Sequence, residues 1–219
     1  NKHGGIILNQ LKKIGCSCDW SKTKFTLDKD MYESVQSMFI KLYDDGYLYR
    51  DKKIVNWDPE AKTTLSNEEV VYNEKKDKLF YIKYKLESSE EFLLVATTRP
   101  ETIFGDTAVA VNPNDKRYRK LIGKKIIVPL VNRTVPIVGD NSVDLEFGSG
   151  CLKVTPAHSE KDFEIGLRNN LDIIDIFNDD ASLNGYGMHY KSLDRFSVRK
   201  KIINELDEKG LLDRTEDYI

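Results

Sequence analysis

The sequence predicts a mixed α/β chain in which a barrel-like sheet is flanked by helical segments. Three observations predict it. Apolar residues recur at helical spacing before residue 57, short apolar runs separated by turns follow from residue 79, and helical spacing returns near residue 193.

Ile6, Ile7, Leu11 and Ile14 share a helical face, and Gly15 supplies a stop. A second helix is predicted to open at Asp28, a residue type suited to capping. Met31, Val35, Met38, Phe39 and Leu42 form its apolar stripe, and Gly46 ends it. Residues 47–57 read as a hairpin with Asp51-Lys52 at its tip. Residues 58–78 are polar and turn-rich, opening on Asp58-Pro59, and mark the entry into a second domain. Strands are predicted over 79–86, 92–97, 107–111, 126–129 and 135–138, with short helices near 116–122 and 160–168. Residues 173–177 form a further apolar run, and 178–187 a loop rich in Asn, Asp and Gly. The last helix spans about 193–209, with Phe196, Ile202, Ile203 and Leu206 on its apolar face and Gly210 as its stop. This texture divides the chain into 1–57, 58–190 and 191–219, the middle part being an insertion whose ends return to one parent body. There is no internal repeat and no low-complexity tract.

Composition narrows the function classes. Of 219 residues, 40% are hydrophobic and 32% charged, a globular balance. Lys and Arg number 34 against 36 Asp and Glu, a net charge of −2, which excludes a nucleic-acid binder driven by bulk charge and an acidic disordered tail. No apolar run approaches the roughly 18–20 residues of a membrane span, and no signal peptide is visible. Cys16, Cys18 and Cys151 cannot all pair, which predicts a reducing, cytoplasmic setting. The chain opens on Asn1 rather than Met, which predicts a fragment.

Two segments stand out chemically. Ala96-Thr97-Thr98-Arg99-Pro100-Glu101-Thr102 ends a predicted strand, and Pro100 stops the ladder there. Three hydroxyls and a guanidinium are thereby held at a strand edge, although β propensity alone also favours threonine at such a place. The second runs from Phe147-Gly148-Ser149-Gly150 through Lys153-Val154-Thr155-Pro156-Ala157-His158-Ser159 to Asp162. Its two glycines permit a tight turn or a close backbone approach, but the segment is neither a dinucleotide fingerprint nor a phosphate loop. Lys153 and Thr155 fall on one side of a short strand. Ser159 with Asp162 three residues on is a capping-box pattern in its Asp form, so Asp162 has a structural reading beside a chemical one. No metal site is predicted: Cys16-Ser17-Cys18 lacks the usual spacer, and His3, His158 and His189 are far apart.

These motifs resemble the editing region of the valyl-tRNA synthetase family, a class I aminoacyl-tRNA synthetase family. Thr97-Thr98-Arg99-Pro100-Glu101-Thr102 is similar to its threonine-rich editing motif. Gly105-Asp106-Thr107-Ala108-Val109-Ala110-Val111 continues it in the valyl style, distinct from isoleucyl and leucyl relatives. Gly148-Ser149-Gly150 with Lys153-Val154-Thr155-Pro156-Ala157-His158 resembles the second editing segment, and Val55-Asn56-Trp57-Asp58-Pro59 and Leu193-Asp194-Arg195-Phe196 also look valyl. The chain departs from the family at Ser159, where an acid is common, at Ser149, often threonine, and at Asp58, often cysteine.

The resemblance implies a β-barrel-like editing domain between pieces of the catalytic body. It implies hydrolysis of mischarged threonyl-tRNA(Val) by water, with the tRNA acceptor end and the rest of the synthetase as partners and no membrane. Asp162 would hold the substrate ammonium, while Thr97, Thr98, Arg99 and Lys153 would serve the ester. Thr102, Phe147, Gly148, Thr155, His158 and Ser159 would line the pocket. The ATP-binding signatures are not in this sequence, so ATP and Mg belong to another part of the synthetase, the fragment needs no cofactor, and no valine activation is expected of it. A non-catalytic module for the tRNA end and an isoleucyl or leucyl editing domain are the alternatives.

Overall fold

The computed structural model describes residues 2–219. The chain forms two compact units, Asn1–Lys52 and Lys53–Ile219, so the break falls at Lys52/Lys53 rather than after residue 57.

The first unit holds α1 (Lys2–Lys13), a 3-10 turn at Trp20–Lys22 and α2 (Lys29–Asp44). Gly15 and Gly46 follow the helices with φ of 85° and 79°, the left-handed geometry that ends them. Asp28 sits at the N-cap of α2, but its carboxylate accepts from the N–H of Phe25 instead of from the helix. The predicted stripe exists yet has no cover within this unit: Val35, Met38 and Phe39 are each more than half exposed.

The second unit opens with a small hairpin of β1 (Asn56–Asp58) and β2 (Thr63–Leu65). It replaces the hairpin expected at 47–57. The Asp58-Pro59 signal is its turn, with the Asp58 carboxylate accepting from the N–H groups of Glu60 and Ala61. The main sheet contains β3 (Asp77–Leu86), β4 (Phe92–Thr97), β5 (Ala108–Val111), β6 (Lys125–Ile127), β7 (Thr134–Gly139), β8 (Cys151–Val154) and β9 (Leu212–Tyr218). Its order is β4-β3-β6-β7-β5-β8, with β9 on β3. Only β5 and β7 pair in parallel. The ends of the path, β4 and β8, lie side by side, which nearly closes the sheet into a barrel. Ile82, Tyr84, Val95, Ile103, Val109, Val111 and Ile126 fill its centre at 0% exposure, or nearly so.

Helix α3 (Glu160–Arg168) follows β8, and α4 (Arg195–Glu208) packs against a 3-10 turn at Pro100–Gly105. Residues 173–177 make no strand; Phe177 forms one isolated bridge to Leu183. The stretch 191–219 belongs to the second unit. Val198, Ile202 and Leu206 of α4 enter the barrel core, and the last residues form β9, a strand the sequence reading missed. No described helix is long and apolar enough to cross a membrane.

Candidate functional site

The site is assembled where β4 runs into the Pro100–Gly105 turn and where β8 runs into α3. Arg99 precedes Pro100 and stays out of the helical region (φ −125°, ψ 67°), which the following proline disfavours. Its N–H donates to Thr97 Oγ1 at 3.1 Å, and its carbonyl accepts from Thr102 Oγ1 at 3.0 Å. Its guanidinium reaches across to donate to the carbonyl of His158 at 2.6 Å. The threonine-rich turn is therefore tied to the peptide that starts α3.

Behind this edge lies a buried polar network. Lys153 has three N–H donors, and each finds a protein acceptor: Thr102 Oγ1 at 2.6 Å, Asp106 Oδ1 at 3.0 Å and Thr155 Oγ1 at 2.5 Å. The side chains of Lys153 and Asp106 are 6% and 0% exposed, so the pair is an internal ion pair. Such a pair survives only when its remaining donors and acceptors are matched. Here Thr155 Oγ1 also donates to Asp106 Oδ1 (2.8 Å), and Tyr84 OH donates to Asp106 Oδ2 (2.7 Å). Burial, then the carboxylate, pushes the Tyr84 phenol far above its ordinary pKa, so it remains a donor. Arg133 donates to the carbonyls of Phe104 and Asp106 and holds the turn that presents this acid. A side chain at Gly105 would meet Thr155 Cγ2 at 2.9 Å, so only glycine lets the turn approach β8 this closely.

This arrangement changes the roles expected of three residues. Thr102 and Thr155 are buried behind the surface rather than on a pocket wall, because the ammonium of Lys153 takes their oxygens. Lys153 has no donor left for a ligand; it can act only by positioning those threonines.

Asp162 lies in the first turn of α3. Ser159 caps the helix, its Oγ accepting from the Asp162 N–H at 3.3 Å, as the pattern predicts. The Asp162 side chain does not return to the cap. Its Oδ2 accepts from the N–H of Thr155 at 2.9 Å. Among the described residues the only fully buried side-chain N or O atom lacking a partner is Thr107 Oγ1, so Asp162 Oδ1 reaches solvent. Burial raises the Asp162 pKa, with the Lys153 charge opposing that rise.

His158 is neutral. Its Nε2 accepts from the N–H of Ile176 at 3.1 Å and its ring meets Phe177 edge-on. Burial, reinforced by the Arg99 and Lys153 cations, lowers its pKa to about 3. The 3.7 Å approach to Asp175 is accordingly no ion pair at neutral pH.

The predicted residues do not surround a single cavity. Arg99 and His158 line one of about 530 Å³; Thr98 lines a recess with Tyr72 and Tyr218; Phe147 lines another, about 300 Å³, with Ala96 and Lys161. Asp162 lines none of the three, although Lys161 beside it lines the last. Gly148 has φ 59°, and a Cβ there would lie 2.6 Å from that of Ala96, so the glycine seats its loop against β4. No described group of three or more His, Cys, Asp or Glu residues is placed to hold a metal ion.

Sequence reasoning did not single out Asp106, Tyr84 or Glu101. The clue to Asp106 was its place just after the threonine-rich motif. Glu101 is 1% exposed and takes both Nε and Nη2 of Arg199, which also donates to Asp77. It binds α4 to the motif.

Comparison with known proteins bears on the fold and the family. The model of the family described as tRNA synthetases class I (I, L, M and V) matches residues 1–211. The whole chain is 59% identical to a valine–tRNA ligase of Christiangramia forsetii and 50% identical to one of Thermotoga maritima, spanning about a quarter of each, 25% in both cases. A solved structure of Agrobacterium radiobacter K84 agnB2 LeuRS, in a ternary complex with tRNA and LeuAMS, superposes over 96% of this chain and 35% of its own. The TM-score is 0.52 at 19% identity, a likeness of fold. The chain belongs to the class I tRNA synthetases of the isoleucine, leucine, methionine and valine group.

Proposed function

We propose that this segment is the editing part of a valine–tRNA ligase and hydrolyses the ester of threonyl-tRNA(Val). The observation that carries the reading is the Asp162 carboxylate: one oxygen is fixed by the Thr155 N–H and the other has no partner in the protein. A fixed, half-satisfied carboxylate suits an α-ammonium, which brings both charge and donors. The likeness to valine–tRNA ligases over the full chain supports the choice of tRNA.

The chemistry needs a second sieve. An apolar pocket cannot strongly reject an isostere that adds a hydroxyl, a limit for which valyl enzymes are themselves the standard illustration. Water attacks the ester carbonyl while Asp162 holds the amine and the Arg99 guanidinium, 44% exposed, faces the phosphate of the terminal nucleotide. The recess of Ala96, Phe147 and Lys161 is large enough for the amino-acid side chain. Lys153 and Asp106 keep the inner face rigid. Ser159 acts as a cap and leaves the selectivity for the hydroxyl to neighbouring groups. Valine activation with ATP and Mg is assigned to other parts of the ligase.

The test is release of amino acid from threonyl-tRNA(Val) and valyl-tRNA(Val), side by side, with this chain and its Asp162→Ala variant. Threonine should be released preferentially, and only by the unmodified chain. Binding of both esters without release would instead identify a non-catalytic module for the tRNA end.

A further inference from the structure

The cavity of about 530 Å³ beside Arg99 is not used by the hydrolytic reading, yet its walls are specific. Lys53, Arg99 and Arg195 bring three cations to it, and Trp57 and Phe177 bring two aromatic rings. Neither Lys53 nor Arg195 has an ion-pair partner among the described residues, whereas Arg199, one turn along α4, is fully paired. Two carboxylates also reach the wall. Asp175 spends an oxygen on the Phe177 N–H, and Asp179 lends its backbone carbonyl to the Trp57 indole at 2.8 Å, which fixes that ring. Cationic side chains with aromatic faces are the pairing that single-stranded nucleic acid recognises, by phosphate contact and by stacking.

Continuity argues for the same occupant. Arg99 belongs to the threonine-rich edge and to this cavity, and its Nη1 is anchored on the carbonyl of His158. The Ala157-His158 wall is the peptide that leads to Ser159 and Asp162. The peptide that starts α3 is thus common to the Asp162 turn, the Arg99 anchor and the cavity wall.

We infer that this cavity binds the nucleotide immediately 5′ of the esterified one, its base against Phe177 or Trp57 and its own phosphate on Arg195, while Arg99 holds the phosphate that joins it to the terminal nucleotide. The inference deepens the deacylase reading and rests on it for the polarity of the strand. The occupant is single-stranded RNA.

The experiment separates the two claims. Arg195→Glu and Lys53→Glu lie outside the hydrolytic machinery, and an acid at the first turn of α4 is compatible with the helix dipole. Each variant is assayed on threonyl-tRNA(Val) and on the threonyl ester of adenosine alone. KM for the tRNA should rise about tenfold, from loss of a charge-assisted phosphate contact, with kcat unchanged and with the adenosine ester unaffected. In parallel, the trinucleotide CCA should shift the NMR signal of the Trp57 indole N–H in the unmodified chain and not in Arg195→Glu, while adenosine leaves it in place. Unchanged KM for tRNA, an equal loss on the adenosine ester, or an unmoved indole signal overturns the inference. If the unmodified chain hydrolyses neither ester and CCA still shifts the indole, the deacylase reading fails and the nucleotide site stands.

Discussion

The burial of His158 should make folding sensitive to mild acid. In the folded chain its pKa is lowered to about 3 from the ordinary 6.5 of a free imidazole, and its Nε2 is committed as an acceptor to the Ile176 N–H. For a base with a depressed folded pKa, the unfolded chain takes up the proton first as pH falls. Stability is therefore full above about pH 6.5 and is lost progressively towards pH 3. Between pH 7 and pH 5 the unfolded imidazole goes from about one-quarter to almost fully protonated while the folded one stays neutral, which amounts to about 2 kcal/mol. Carboxylates held low by partners, such as Asp140 at about 2 beside Arg168, titrate outside this window. The perturbation is His158→Gln, which keeps an acceptor but cannot ionise. Urea unfolding at pH 7 and pH 5 should show the unmodified chain losing about 2 kcal/mol more than the variant, and the His158 ring signal in NMR should stay constant across the same range. An equal loss in both proteins, or a His158 signal that titrates near pH 6, refutes the reasoning.

Three other outcomes are expected. Asp162 has a raised folded pKa, so its ionised form opposes folding above the unfolded value; Asp162→Asn should abolish threonyl-ester hydrolysis while unfolding at a slightly higher urea concentration at pH 7, and a destabilised variant would show that the charge supports the fold. Glu101→Gln removes the buried partner of Arg199 and should cost about 3 kcal/mol in urea unfolding, the low end for such pairs because Asp77 still holds the guanidinium. A loss below about 1 kcal/mol would mean that α4 needs no anchor on the motif. Gly148→Ala combines a left-handed backbone with contact on Ala96 and should cost at least about 2 kcal/mol. Adding Ala96→Gly should recover part of that in the thermal midpoint, and no recovery would place the strain elsewhere.

Much of the barrel was legible because its strands are short, apolar and bounded by turn residues: 79–86, 92–97 and 135–138 lie within the observed strands. Helix α3 was legible from Ser159 and from the acids in its first turn. The hairpin of residues 47–57 was misplaced because Tyr47 and Tyr49 alternate like strand residues, although pairing requires a partner that only Asn56–Asp58 finds. Strand β9, Leu212–Tyr218, was hidden because six of its seven residues are exposed and charged or polar types dominate; β3 pairing, not its own burial, makes it a strand. At the site, the positions of Lys153, Thr155 and Asp162 followed from local spacing. That Thr102 and Thr155 face inward did not, since it depends on Asp106, which only folding brings to 3.0 Å from Lys153.

The pairing of β9 with β3 has an architectural consequence. Asp77 and Tyr218 are opposite each other in the register, so the first residue of β3 and the last of β9 are cross-strand neighbours. Two such strands are roughly 5 Å apart. The link from the β1–β2 hairpin into β3 therefore runs beside the end of β9, at one corner of the sheet. Because β4 holds β3 along its other side, β9 can fray without unzipping the barrel.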